Sequence, residues 1–163
     1  MGAEARARQL GLDLSSRSGP LANYVGAVTT GNLVFLSGHG PLESGGGLVT
    51  GRLGEDLSVE QGAAAARRTA VALLATLKSE VGDLDRVGRI VKLLCMVNCT
   101  PDFAKHSAVA DGASNLLVEV FGERGRHARS AVGVASLPFQ MAVEIELIAE
   151  LADTASAAPA ASG

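Results

Sequence analysis

The stretch His127-Ala128-Arg129-Ser130-Ala131-Val132-Gly133-Val134-Ala135-Ser136-Leu137-Pro138, with Val143-Glu144-Ile145-Glu146 after it, decides how this chain is read. Both segments alternate in the manner of strands, so residues two apart point the same way. Val132 and Val134 share one face of the first strand, and Arg129, Ala131, Gly133 and Ala135 share the other. In the second strand Val143, Ile145, Leu147 and Ala149 make the apolar face, with Glu144 and Glu146 opposite. Paired as neighbours, the two strands would put a planar cation and a carboxylate on one face among very small side chains. Such a face suits a small pocket with an anion anchor, because a guanidinium grips a carboxylate through two parallel hydrogen bonds.

The rest of the composition narrows the class. A chain of 163 residues, 47% hydrophobic and 19% charged, has the size of one domain and enough apolar residues for a substantial core. No apolar run approaches the roughly 20 residues that span a bilayer. The start, Met1-Gly2-Ala3-Glu4-Ala5-Arg6-Ala7-Arg8, lacks a hydrophobic segment after its charges, so no secretory signal and a cytoplasmic location are expected. A net charge of −3 and 3% aromatics point away from a nucleic-acid surface, which would cluster Lys and Arg among stacking rings. Cys95 and Cys99 fall in a β-rich run, where residues four apart stand roughly 13 Å from each other. They are expected to be reduced thiols, with no disulfide and no shared metal.

Along the chain, residues 3–10 suit a short helix ending at Gly11, and 15–20 a polar linker. Strands are expected at about 23–29 and 33–38, joined by a Thr30-Gly31-Asn32 hairpin. Residues 33–36 are apolar on both faces, so both sides of that strand should be covered. The run Glu43-Ser44-Gly45-Gly46-Gly47 reads as a plain turn. It lacks the Lys-Ser/Thr of a phosphate loop, and Gly38-His39-Gly40 lacks the third glycine of a dinucleotide fingerprint, so neither ATP nor NAD is supported. A long helix from 59 to about 80 opens on a Ser58/Gln61 capping box and closes at Gly82. Val59, Gly62, Ala63, Ala66, Ala70, Leu73, Leu74 and Leu77 form its buried stripe, with Arg67, Arg68 and Lys78 turned to water. A strand at about 88–99 follows. Thr100-Pro101 reads as the cap and first position of a second helix, with Val109, Ala113, Leu116, Leu117 and Val120 buried. Residues 152–163 are small and polar and are expected to be disordered.

The class that follows is α+β: a mixed sheet with two helices on one face. The other face, carrying Ala131, Gly133 and Ala135 among ionisable groups, is more readily explained as packed on other subunits than as open to water.

Arg-Ser-x-Val-x-Val-x-x-Leu-Pro followed by Val-Glu-Ile-Glu resembles the signature of the RidA/YjgF family. Tyr24-Val25, Gly31-Asn32-Leu33-Val34-Phe35-Leu36-Ser37-Gly38, Gly82-Asp83-Leu84-Asp85-Arg86-Val87 and Asp102-Phe103 continue the match in the family's order. The likeness covers residues 20–151, leaving 1–19 as an N-terminal extension and 152–163 as a tail. The stretch Gly125-Arg126-His127-Ala128-Arg129-Ser130-Ala131-Val132-Gly133-Val134 is similar to a less characterised branch. The resemblance implies a single chorismate-mutase-like domain and a homotrimer with pockets between subunits. It also implies hydrolysis of small imino or enamino acids to keto acids and ammonia, with no cofactor and no metal.

The resemblance also assigns roles. Arg129 would hold the substrate carboxylate, Glu144 would position the attacking water, and Tyr24 and Ser37 would offer pocket hydroxyls. Ala131 stands where deaminase members frequently carry cysteine; its backbone N–H can still donate to a carboxylate, but thiol chemistry is lost. Asn98 and Cys99 replace a common lysine-aspartate pair, and His39 a frequent glutamine. Against these readings stand plainer ones. Arg129 could bridge to Glu144 or Glu146, Tyr24 could be an interface ring, and Ser37 a strand-end hydroxyl. His39 and His127 could tune the pocket or be ordinary strand-end residues, and His106 is expected on a helix surface. A binding protein for a small carboxylate metabolite, using the same Arg129 anchor without turnover, stays open beside the enzyme. So does a trimeric interaction scaffold. Some members of the family have been labelled endoribonucleases, a reading that the charge and the scarcity of aromatics do not favour.

Overall fold

The computed structural model describes residues 1–15 and 23–152. The linker expected at 15–20 and the tail expected at 152–163 therefore fall almost wholly outside the described residues. The elements run α1 (Ala3–Gln9), β1 (Ala27–Thr30), β2 (Leu33–His39), α2 (Val59–Val81), β3 (Val87–Asn98), α3 (His106–Phe121), β4 (Ala128–Val134) and β5 (Val143–Leu151). One sheet holds all five strands in the order β1-β2-β5-β3-β4, antiparallel throughout except for the parallel pair β3 and β4. This is the expected α+β architecture.

The helices form where periodicity and capping agree. At the start of α2 the Ser58 hydroxyl accepts from the Gln61 N–H while the Gln61 side chain accepts from the Ser58 N–H. Gly82 ends the helix at φ 85°, a conformation that favours glycine. Leu73, Leu74 and Leu77 of α2 and Val109, Leu116, Leu117 and Val120 of α3 are fully buried against the sheet. The two helices touch backbone to backbone: a Cβ on Gly112 would lie 1.9 Å from the Ala63 carbonyl oxygen. Of the basic residues turned outward on α2, Arg67 meets Glu119 of α3 and Lys78 meets Glu4 of α1.

Helix α1 belongs to the packed body. Ala3 and Ala7 are buried, and the carboxylate of Glu4, itself buried, accepts from the Leu84 N–H and from Lys78. Burial alone would raise the Glu4 pKa, but the bonds to Lys78 and Leu84 outweigh it and hold the value below the ordinary one.

Three expectations need correction. The second helix does not open at Thr100-Pro101. There Thr100 accepts from the Phe103 N–H and hydrogen-bonds the Asp102 carboxylate, closing a turn, and α3 begins at His106. Strands β4 and β5 are not neighbours, because β3 lies between them. In β4 the residues facing the helices are Arg129, Ala131 and Gly133, across from Leu93, Cys95 and Val97. The face away from the helices instead carries Val28, Phe35, Lys92, Leu94, Met96, Ser130, Val132, Glu144, Glu146 and Ile148. Val28, Phe35 and Val132 are among its exposed apolar side chains.

Candidate active site

The site grows from an irregularity in β2. Between Leu36, paired with Leu147, and His39, paired with Ile145, β2 holds one residue more than β5. That bulge falls at Ser37-Gly38 and re-aims the end of the strand. Its glycine has a direct use, since a Cβ on Gly38 would stand 2.0 Å from Glu144 Oε1. The strand leaves exactly the room that the carboxylate occupies, in the sense that any larger residue would displace it. The Ser37 hydroxyl donates to the Val25 carbonyl at 2.6 Å and the Ser37 N–H to the Gly26 carbonyl, tying the segment that bears Tyr24 to β2.

Beside the bulge lies a cavity of about 300 Å³. Tyr24, Ser37 and Glu144 line its polar side, and Leu42, Leu48, Pro138, Phe139 and Met141 its apolar side. Burial, and secondarily the neighbouring Glu146 carboxylate, push the Glu144 pKa above the ordinary value. His39 sits under the cavity floor, 4% exposed. Its Nδ1 lies 2.6 Å from the Ser37 carbonyl, which can only accept, and its Nε2 lies 2.7 Å from Thr76 Oγ1. Burial lowers the His39 pKa despite the bond to Ser37, so the ring is neutral: Nδ1–H donates to Ser37 and the Thr76 hydroxyl donates to Nε2. His39 is thus a buried support for the bulge.

Arg129 lies apart from this cavity within the chain. Its guanidinium donates to Asp111 Oδ1 at 2.8 Å and to Ser114 Oγ at 3.0 Å, both on α3. His127 joins the same cluster, donating from Nδ1 to the Gly125 carbonyl and accepting from Ser114 at Nε2. Burial, and then the adjacent Arg129 charge, keep the His127 pKa low against the raising effect of Gly125. Within the chain, the plainer reading of Arg129 as a bridge to Glu144 or Glu146 is not met, since alternation along β4 and β5 puts them on opposite faces of the sheet. Ala131 follows Arg129 on the helix side, facing Cys95. Tyr24, Ser37 and Glu144 therefore meet, while Arg129 and Ala131 stand on the far edge strand.

His106, expected on a helix surface, is partly buried at the start of α3, with Nε2 3.5 Å from Cys99 Sγ. Both cysteines are free, and burial pushes the Cys95 thiol up to about 12. Among the described residues no three potential metal-ligating side chains come together, and no helix is long and apolar enough to cross a membrane. Sequence reading missed the apolar side of the cavity and the work of Gly38. A glycine interrupting an apolar strand is the one signal that could have pointed to the bulge.

Residues 4–151 match the family described as "YjgF/chorismate_mutase-like, putative endoribonuclease". Protein TCP17 of Trypanosoma cruzi is 47% identical over 148 residues, covering 90% of this chain and 92% of that protein. The crystal structure of Atu1372 from Agrobacterium tumefaciens, a protein of unknown function, is 44% identical with a TM-score of 0.83, covering 92% of each chain. The structure of the yjgF gene product of E. coli is 27% identical with a TM-score of 0.58, covering 85% of this chain and 94% of that one.

Proposed function

We propose, from the premise that this chain belongs to the YjgF/chorismate-mutase-like family, that it hydrolyses 2-imino and enamino acids to 2-keto acids and ammonia. The observation that carries the reading is Glu144: a partly buried carboxylate of raised pKa in a cavity that also holds two hydroxyl groups. A carboxylate tuned upward is a better base near neutral pH than an ordinary one. As the water oxygen bonds to C2 of the imine, Glu144 accepts the water proton and returns it to nitrogen. Glu144 then passes the proton of the new hydroxyl to nitrogen, so that the carbonyl forms as the C–N bond breaks and the nitrogen leaves as ammonia. A conjugated imine is electrophilic enough that orienting one water supplies most of what is needed.

The substrate's own carboxylate requires a cation. Among the described residues the cavity is lined by no Arg or Lys, and an anion beside Glu144 would be repelled. Arg129 stands on the β4 edge, and Tyr24 and Ser37 belong to the β1–β2 end of the sheet. A ring in which each β4 edge meets the next subunit's β1–β2 end would bring Arg129 to the pocket, with the Ala131 N–H beside it. We therefore propose a homotrimer with composite sites, its buried surface including the exposed Val28, Phe35 and Val132. Inside one subunit Asp111 occupies the guanidinium, and the substrate carboxylate would take its place.

The test is ammonia release from 2-aminoacrylate, made in situ by a dehydratase, with wild type beside Arg129→Ala and with subunit mass followed by light scattering. Acceleration by wild type, reduced about 100-fold or more in a still-trimeric variant, is the expected result. Saturable keto-acid binding without turnover would replace the enzyme by a carboxylate-binding protein. Loss of assembly in Arg129→Ala would make that arginine a subunit bridge instead.

A further inference from the structure

We propose that the cavity beside Glu144 is built for 2-imino acids with a bulky apolar side chain, and that Phe139 is the residue that selects them; this rests on the deaminase reading above. A three-carbon imino acid has six non-hydrogen atoms and displaces at most about six waters, roughly 180 Å³ at ~30 Å³ each. The cavity is larger, about 300 Å³, and its surplus is bounded by Leu42, Leu48, Pro138, Phe139 and Met141. With the reacting atoms at Glu144, the volume left on the side of Leu42, Leu48, Phe139 and Met141 is an apolar arm of the size and character that a substrate side chain would fill.

Phe139 makes the arm look selected for this use. Its ring is 66% exposed, an unfavourable position for a large apolar group. Its backbone is left-handed at φ 56°, ψ 17°, and Gln140 follows at φ 56°. Two consecutive residues other than glycine in that region are strained, yet the turn is firmly braced. Gln140 N–H donates to Leu137, Met141 N–H to Pro138 and Gly51 N–H to the Gln140 carbonyl, while the buried Asn98 amide donates to the Met141 carbonyl. Strain held by so many bonds clusters at ligand sites. The far wall is adaptable: Met141 sulfur fits against Gly40, where a Cβ would stand 2.6 Å away, and a thioether moulds to varied apolar shapes.

The experiment compares imines generated in situ by an amino-acid oxidase from leucine and from alanine, for wild type, Phe139→Ala and Phe139→Leu. Wild type is expected to show kcat/KM at least tenfold higher for the leucine-derived imine, since each methylene in an apolar pocket is worth about tenfold or more. Phe139→Ala should reduce that ratio about tenfold, mostly through KM, and Phe139→Leu should restore most of it. Because the ring is exposed, these variants leave the core intact. An equal or inverted ratio in wild type, or a parallel loss for both imines in Phe139→Ala, overturns the proposal. If neither imine is accelerated the deaminase reading fails, and calorimetry with 4-methyl-2-oxopentanoate and pyruvate decides the selectivity on its own. Tighter binding of the branched keto acid, lost in Phe139→Ala, upholds it; equal binding, or none, overturns it.

Discussion

Gly38→Ala tests the link between the β2 bulge and the proposed chemistry. The new Cβ would stand 2.0 Å from Glu144 Oε1, 2.8 Å from Cδ and 3.0 Å from Cγ. Real Cβ contacts do not fall under 3.0 Å, so the carboxylate oxygen must retreat by at least about 1 Å. A misplacement of that size at a reacting centre costs on the order of 100-fold in rate, equivalent to about 2.7 kcal/mol at 1.36 kcal/mol per decade. Stability should barely change. Gly38 is not in the left-handed region, where alanine would be strained, and Gly→Ala in a compatible backbone gains about 0.4–1 kcal/mol. Forcing Glu144 off its rotamer costs about 0.5–1.5 kcal/mol, so the two nearly cancel. The assay is kcat/KM for imine hydrolysis together with Tm, for Gly38→Ala, Glu144→Ala and the double variant. A roughly 100-fold loss at nearly wild-type Tm is expected, with Gly38→Ala adding nothing once Glu144 is absent. Wild-type turnover by Gly38→Ala would refute the reasoning, because the carboxylate's position would then not matter.

The same geometry yields stability predictions. Thr76→Val removes the donor to a buried imidazole nitrogen and should cost about 1–3 kcal/mol, read from urea midpoints at pH 7. His39 holds its proton less readily folded than unfolded, so its contribution is complete above the unfolded imidazole value of about 6.5 and declines as pH falls below it. His39→Gln should flatten that decline, leaving the part due to His127, in a series of midpoints between pH 5 and 8. Glu144 has the opposite sign: its raised pKa means that ionisation opposes folding, so Glu144→Gln should raise Tm at pH 7. That gain should fade on acidification and vanish below the ordinary carboxylate value of 4.5; a gain that persists there would exclude the electrostatic cause. Glu4→Ala orphans the Leu84 N–H beneath α1 and should cost about 1–3 kcal/mol by calorimetry, whereas a surface-like loss under 0.5 kcal/mol would mean that α1 adds little.

How much of this was legible in the residues depended on how far apart the deciding groups lie. The capping box at Ser58, the glycine stop at Gly82, the buried stripe of α3 and the Gly-Asn turn before β2 are read within a few residues, because helix and turn geometry repeats over that span. The family likeness and the α+β class followed from such local signals and their order. The alternation within β4 and β5 was also correct, although not which side of the sheet each face takes: Arg129 shares its face with Ala131 and Gly133, and Glu144 lies opposite Val143 and Ile145. Which face of one strand aligns with which face of another is not a local property. It was decided by β3 inserting between β5 and β4, where both its edges are hydrogen-bonded and its Leu93, Cys95 and Val97 are fully buried under the helices. That choice sent Arg129 to the α3 side and the far edge, and left Glu144 on the side away from the helices. Tertiary structure likewise decided the pocket. Tyr24, Ser37, Gly38, Phe139 and Glu144 are scattered across the sequence, and they meet only because a one-residue bulge in β2 and a strained turn after Pro138 bring them to one end of the sheet.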